Sequence, residues 1–410
     1  MEKKFDVLIV GAGPAGTAAA ISLGNKGVSV ALLDKAEFPR DKTCGDALSV
    51  DVINQLEMLS PELIDNFNAF AEKTPSFGVQ IFSPDGNHVD IPFIYQEKKR
   101  CGFICKRFHF DNLLVQHAKT YANVRVIEGC DVNYVENKDN KINVHTTHGH
   151  FTAKIGVGAD GAHSIVEKNL VNLKLDKNHF SAGLRVYYEG VSQFHPENFI
   201  ELHFFKGILP GYVWVFPLPD NKANVGIGML SSVISKRKVN LKQVLTRVLE
   251  SHPEFEERFK DATPLESMKG FGLPLGSKRR VLSGERFLLT GDAASLIDPF
   301  TGEGIGNAIR SGRVAASHIL KSFQVNDFSQ TFNMQYDTEI YRRMGKEFTL
   351  SRRLQQLCKY PSLFNYVVRK ANANKHVHDL LVDALAHVEK KNTLIHPGFY
   401  YRLMFDKAKV

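Results

Sequence analysis

No stretch of this sequence approaches the roughly 18 consecutive apolar residues that a membrane span requires, which excludes a bilayer-crossing helix. At the N-terminus, MEKKFDVLIV has an apolar core, Val7–Val10, too short for the hydrophobic region of an export signal. Cysteine is scarce: five residues, at 44, 101, 105, 130 and 358, an odd number that argues for reduced thiols rather than a disulfide framework. A soluble, cytoplasmic protein is therefore expected. Cys101, Cys105 and His109 are spaced closely enough to suggest metal ligands, but GFICKRFHF reads better as a strand with alternating apolar residues, so no metal is expected. A strong charge bias is missing too. The 52 Lys and Arg against 44 Asp and Glu leave a scattered net charge of +8, which does not point to nucleic acid and suits an anionic surface or an acidic cofactor. Internal repeats and low-complexity linkers are also absent. With 410 residues, 43% of them hydrophobic, the chain is long enough for two domains with cores of their own.

What the sequence does hold is glycine in a fixed order. GAGPAG stands at 11–16, GVGADG at 156–161 and GDAASLIDPFTGEGIG at 291–306. Phe5–Val10 precedes the first as a near-continuous apolar run, the pattern of a strand buried on both faces. A small-residue helix ended by Gly27 follows it, then a second strand, VSVALLD, ending at Asp34. This strand–turn–helix–strand context makes the glycine pattern a dinucleotide-binding one. Gly11 permits the tight turn, Gly13 admits a pyrophosphate to the backbone, and Gly16 lets helix pack on strand. Ala12, Pro14 and Ala15 complete the turn at the positive end of the helix. Asp34 is placed to bind an adenosine ribose, with Lys35 beside it. In the loop FPRDKTCGDALS (38–49), Arg40 is a candidate phosphate or ribose clamp, and the Cys44-Gly45 pair suits a loop folded back over the cofactor. Arg107 begins a helix, where its guanidinium either reaches phosphate or is solvated. Asp160 and Gly161 fall at the C-terminal end of a strand, the ligand-facing edge of such a sheet.

Gly291 and Asp292 follow a buried strand, Phe287–Thr290, and a carboxylate there suits the ribityl hydroxyls of a flavin chain. Pro299 leads through Gly302 and Gly304 to Ile305, where a helix opens with its positive end toward a flavin ring. Together the three stretches indicate one bound FAD. The expected fold class is α/β (α+β overall). A Rossmann-like FAD-binding domain is assembled from 1–75, 100–178 and 280–325, an antiparallel β-sheet substrate domain from 76–99 and 179–279, and 326–410 form a C-terminal helical region. Residues 76–95 read as a hairpin turning at Asp85-Gly86-Asn87, and 240–260 as one amphipathic helix. In YVWVFP, alternation puts Tyr212, Trp214 and Phe216 on one face and Val213 and Val215 on the other. Three aromatics on one face either wall a pocket or pack a core. Gly226 and Gly228 either bring the backbone close to a ligand or kink the strand.

These pieces resemble the glutathione-reductase-type FAD fold of the hydroxybenzoate-hydroxylase group and, within it, the geranylgeranyl reductase family. The resemblance rests on GAGPAG, the FPRDKTCG loop, GADGAHS, YVWVFP followed by GIG, and GDAASLIDPFTGEGI, and covers residues 6 to about 315. Its FAD motifs are shared with hydroxylases and halogenases; the aromatic strand and the Cys-Gly loop are more specific to the reductases. The resemblance implies an FAD-dependent oxidoreductase that reduces C=C bonds of a geranylgeranyl-type isoprenoid by hydride transfer from reduced flavin. NAD(P)H or another donor would supply the electrons. It also implies that Tyr212, Trp214, Phe216, Gly226 and Gly228 shape a prenyl cavity and that Cys44 lies near the isoalloxazine ring. Cys44 and Tyr212 are then candidate proton donors, with a water as the third. Alternatives on the same fold are an FAD-dependent monooxygenase or halogenase acting on an aromatic or lipid substrate, a non-catalytic prenyl-binding protein, and a redox-neutral cyclase. Halogenases carry Trp-x-Trp-x-Ile-Pro where this chain has Tyr212 and Phe216. The basic segments RRMGKEF, SRRLQQL and YYRLMFDKAKV fit peripheral membrane contact, or simply solvated helix faces.

Overall fold

The computed structural model describes residues 3–95 and 98–386. One sheet is built around five parallel strands in the order Val124–Ile127, Val30–Leu33, Lys3–Val10, Gly149–Gly158 and Phe287–Leu289. Its chain order is scattered because the last strand arrives only after the second sheet. Val7, Leu8 and Ile9 are wholly buried, as a continuous apolar run in a sheet covered on both faces requires. The helix Pro14–Leu23 packs on this sheet and meets the long helix Ile305–Val325 through small residues: a Cβ on Gly312 would lie 2.2 Å from the Ala15 carbonyl oxygen. The early half of Gly149–Gly158 pairs instead with an antiparallel meander, Lys141–Thr146 and Val132–Lys138.

The second sheet runs in the order Thr263–Pro264, Phe180–Glu189, Lys222–Leu230, Tyr212–Leu218, Ile200–His203, Gly78–Phe82 and His88–Pro92. Lys269–Pro274 shares the outer edge of Phe180–Glu189. The expected hairpin at 76–95 is present, and its strand Gly78–Phe82 joins this sheet. Its pairing with Ile200–His203 is parallel, unlike the all-antiparallel arrangement expected. No tight turn links the two strands, so nothing forces them antiparallel. The expected helix at 240–260 is two helices, Leu241–Ser251 and Pro253–Phe259. Pro253 forces His252 into extended backbone (ψ 129°), and the His252 side chain then caps the second helix.

The alternation expected along Tyr212–Leu218 holds. Val213 and Val215 pack with Leu245, Leu249 and Phe255 of those two helices. On the opposite face, Trp214 and Phe216 share an apolar cluster with Leu354, Ala371, Val377 and Leu381 of the C-terminal helices Gln330–Leu357, Pro361–Ala373 and Lys375–Ala386. The basic segment at 400–410 lies outside the described residues.

Candidate active site

The first glycine turn is shaped by two collisions and one gap. A Cβ on Gly11 (φ +98°) would meet the Ala159 carbonyl oxygen at 2.4 Å, and one on Gly16 would meet the Gly11 oxygen at 1.8 Å. A Cβ on Gly13 would find nothing nearer than Arg40 Nη2, at 4.0 Å. Gly11 and Gly16 are therefore required by the fold, whereas Gly13 faces open space at the start of the helix beginning at Pro14. Asp34 braces the turn: its carboxylate accepts from the Ala12 N–H at 2.7 Å and the Ala36 N–H at 2.9 Å. Lys35 beside it is exposed. Asp111, fully buried, accepts from Arg40 Nη1 at 2.6 Å and from Arg107 Nε and Nη2 at 2.6 and 2.8 Å. One carboxylate thus holds two guanidiniums, leaving one net positive charge next to Gly13, where an anion at the helix N-terminus is already favoured. Burial works against the Arg107 charge, but Asp111 more than compensates and holds it protonated.

The third glycine stretch forms the neighbouring wall. Gly291 (φ 56°) packs against Ala15 and Ala308. The Asp292 carboxylate is half-buried, accepts no hydrogen bond from the described residues, and is pushed up in pKa by burial, with Lys42 and Arg107 as its nearby cations. Asp298 organises the next turn, accepting from the Phe300 and Thr301 N–H groups at 2.9 and 2.8 Å, while Pro299 offers its carbonyl to Gln355 Nε2 of the C-terminal helix. Gly302 (φ +75°) has only the Tyr212 hydroxyl near its Cβ position, at 2.9 Å, and Gly304 borders Asp292. Ile305 opens the 21-residue helix, whose Gly306 N–H is capped by Glu303; burial pushes Glu303 up to about 7. Asp160 is used differently from expectation. Its carboxylate accepts from Ser164 Oγ, the Ile165 N–H and the Val166 N–H and so starts the next helix, leaving Gly161, with nothing within 4 Å of its Cβ position, as the open point of that loop.

The aromatic strand closes the other side. The Tyr212 hydroxyl donates to the Thr301 carbonyl at 2.6 Å, tying the second sheet to the Asp298–Ile305 turn. The Trp214 Nε1–H donates to Asn224 Oδ1 at 3.0 Å. A Cβ on Gly226 would stand 2.1 Å from Trp214 Cζ2, and one on Gly228 3.7 Å from Cζ3. Gly226 makes room for the indole, a nearer reason for it than approach to a ligand, whereas a methyl on Gly228 would only touch the ring. Gly45 lies against Phe216, 2.8 Å from its Cβ position to the ring. Cys44, partly exposed, neighbours Arg107, and all five cysteines are free. Among the described residues no cluster could hold a metal ion. The sequence reading missed Asp111, Asp46, Asn224 and Tyr187. Only Asp111 carried a local signal, four residues after Arg107 on one helix face.

A half-buried carboxylate without a hydrogen-bond donor, an open glycine at a helix N-terminus and a paired-cation site match the hydroxyls and phosphates of FAD. The profile described as "FAD binding domain" matches residues 4–324. The digeranylgeranylglycerophospholipid reductase of Methanocella arvoryzae is 30% identical over 375 residues, covering 87% of this chain and 88% of that protein. The chain belongs to the geranylgeranyl reductase family of FAD-dependent oxidoreductases. The similarity of this geranylgeranyl reductase-family protein extends to the menaquinone reductase of Mycobacterium tuberculosis, at 27% identity over 88% of this chain and 86% of that one. Its fold matches a geranylgeranyl bacteriochlorophyll reductase-like protein from Thermoplasma acidophilum, with TM-score 0.75, 22% identity, and 98% and 99% of the two chains covered. A flavin-dependent brominase shares the fold as well, with TM-score 0.76, 20% identity and 93% of each chain covered. In this family member, Asp292, Gly13, Arg40 and Arg107 are the residues that would hold FAD.

Proposed function

We propose that this flavoprotein reduces C=C bonds of a geranylgeranyl-type isoprenoid chain, with the Tyr212–Trp214–Phe216 face as the wall against which the chain lies. One observation carries the reading: the hydroxyl of that aromatic face is hydrogen-bonded, at 2.6 Å, to the glycine turn that would hold the flavin ring. Bound, reduced FAD supplies a hydride. The protein's own part is to orient and to exclude water, because an isolated alkene has no carbonyl to polarise. Arg40, Arg107 and Asp292 fix the cofactor; Trp214 and Phe216 hold the chain; the C-terminal helices pack over that face. Of the two proton-donor candidates we retain Cys44, since Tyr212 already gives its proton to Thr301 and burial raises its phenol pKa further.

The test is anaerobic. Flavin reduced with dithionite is expected to be reoxidised by a geranylgeranyl compound, giving a saturated product, and Cys44→Ala should slow that step about 10²–10⁴-fold without changing FAD content. Flavin that reoxidises only in oxygen would sink the reductase reading in favour of oxygen-dependent chemistry.

We also propose peripheral contact with an anionic membrane. No described helix is long and apolar enough to cross one. Arg342 and Arg343 are paired with Glu339, which removes part of the basic face expected from the sequence. Lys359 and Arg237 are exposed and Arg352 is half-buried; burial, then repulsion from Arg352 and Arg237, lowers the Lys359 pKa. Exposed Tyr360 stands beside them. Co-sedimentation with phosphatidylserine vesicles is expected at low salt and should be lost at high salt, where charge attraction is screened; no pelleting at low salt removes the proposal.

A further inference from the structure

Behind the Cys44–Gly45 turn lies a buried polar hub. Asp46 is fully buried and adopts left-handed backbone (φ 68°), a conformation Asp tolerates better than most side chains. Its carboxylate accepts from the Tyr187 hydroxyl, from Asn224 Nδ2 at 2.8 Å, and from the Arg107 backbone N–H at 3.3 Å. The same Asn224 nitrogen donates to the Cys44 carbonyl at 2.8 Å, and Asn224 Oδ1 accepts from Trp214 Nε1 at 3.0 Å. Asn224 thus spends both amide hydrogens and its oxygen on three partners. It is fully buried, so none of these bonds is exchanged with water.

We propose that Asp46 is a positioning residue of the substrate wall: while ionised it fixes Asn224, and through Asn224 it sets the Cys44–Gly45 turn against the Trp214 indole. The inference rests on the reading of that wall given above, but its decisive test does not need a substrate. Every neighbour of the carboxylate is a donor. A proton on Asp46 could be accepted only by a turned Tyr187 hydroxyl, and at Oδ2, the oxygen that Asn224 Nδ2 also uses, it would weaken the bond to Asn224. Burial pushes the Asp46 carboxyl up to about 6, opposed by the Tyr187 and Asn224 hydrogen bonds and by the charge of Arg185. The surrounding groups do not titrate there. Burial, then Asp46, raises the Tyr187 phenol; burial pushes Cys105 up to about 12; Asp41 is held low by Lys269 and Arg185 against its own burial. Arg185 and Arg107 are held charged by their acidic partners, and Lys106 lies 4.8 Å from the Tyr187 ring.

Trp214 is the single tryptophan of the chain, so the tryptophan emission of the FAD-bound protein reads this residue alone. Titration from about pH 5 to 8 is expected to shift the emission maximum with one inflection near 6. Turnover should rise with pH through the same inflection, in kcat rather than KM. Asp46→Asn should remove the inflection, and Tyr187→Phe, which deletes a bond that favours the ionised form, should move it to higher pH. Glu303, held up to about 7, lies beyond Tyr212 and contributes equally before and after Asp46→Asn, so the comparison subtracts it. A flat native titration, or an inflection near 6 that survives unchanged in Asp46→Asn, overturns the proposal; a Glu303 inflection near 7, common to both proteins, does not bear on it. Should Asp46→Asn not fold, an unshifted inflection in Tyr187→Phe overturns it as well. An inflection that obeys both variants in a protein that reduces no prenyl compound supports the hub and refutes the substrate reading alone.

Discussion

Gly226→Ala protein is expected to purify yellow, with its full complement of FAD, and to have lost about 100-fold of its turnover. The added methyl would sit 2.1 Å from Trp214 Cζ2 and 2.3 Å from the Leu184 carbonyl oxygen. Leu184 belongs to the neighbouring strand, paired with Ile227, so the two strands have to part locally. The indole has to swing as well. It then loses its bond to Asn224 and presses on the Cys44–Gly45 turn, whose own Cβ position is 3.6 Å from Trp214 Nε1. Overpacking of this kind costs about 1–3 kcal/mol, a tolerable loss against about 5–15 kcal/mol of total stability. The fold should survive while the wall does not. FAD absorbance per protein, Trp214 emission and anaerobic turnover measure the three consequences separately. A variant with normal emission and normal turnover would mean that the indole is not held where these contacts place it.

Asp111→Ala should be worse for the protein as a whole. It leaves Arg107, only 7% exposed, as a buried guanidinium without its bidentate partner, and frees Arg40 from the same carboxylate. Removing one member of a buried ion pair costs about 3–5 kcal/mol, comparable with much of the stability of an ordinary domain. The variant is expected to melt well below the parent and to lose FAD on gel filtration. Added FAD should recover part of the melting temperature, since a ligand that binds only the folded state stabilises it by mass action. The double variant Arg107→Met/Asp111→Ala should regain stability but only part of the cofactor, because the buried charge is gone while Arg40, still next to Gly13, is no longer held in place by Asp111. Equal melting temperatures for parent and Asp111→Ala would show that the pair carries no such load.

The parts of the molecule that could be read from the sequence are those encoded within a few residues. The three glycine turns, the strand-alternating aromatic face and the hairpin at 76–95 depend on neighbours two to six positions away, and the local pattern specifies them. Pro253 marked a break in the helix at 240–260 that was overlooked, and the reason is visible in the residue before it, which the proline ring forces into extended backbone. The buried polar residues were not legible for a different reason. Asp46 meets Tyr187 across 141 positions and Asn224 across 178, and an Asp in a loop or an Asn in a strand shows nothing in sequence of the partner that keeps it buried. Asp160 is the converse case. Its place at a strand end was read correctly, but whether its carboxylate faces outward or caps the next helix is decided by Ile165 and Val166 opening that helix behind the Ser164 cap.

The late strand Phe287–Leu289 has a bearing on how the chain is made. Strand Gly149–Gly158 keeps an unpaired edge at Gly156–Gly158 until that strand is added, and the turn carrying Asp292 and the helix from Ile305 come later still. During synthesis from the N-terminus, the phosphate-binding turn at 11–16 is complete while half of its cofactor cradle is not yet translated. The second sheet, by contrast, has all its strands once residue 274 has emerged. On the ribosome the second sheet can therefore pair before the cofactor site closes, while its aromatic face stays uncovered until the helices from Gln330 onward emerge.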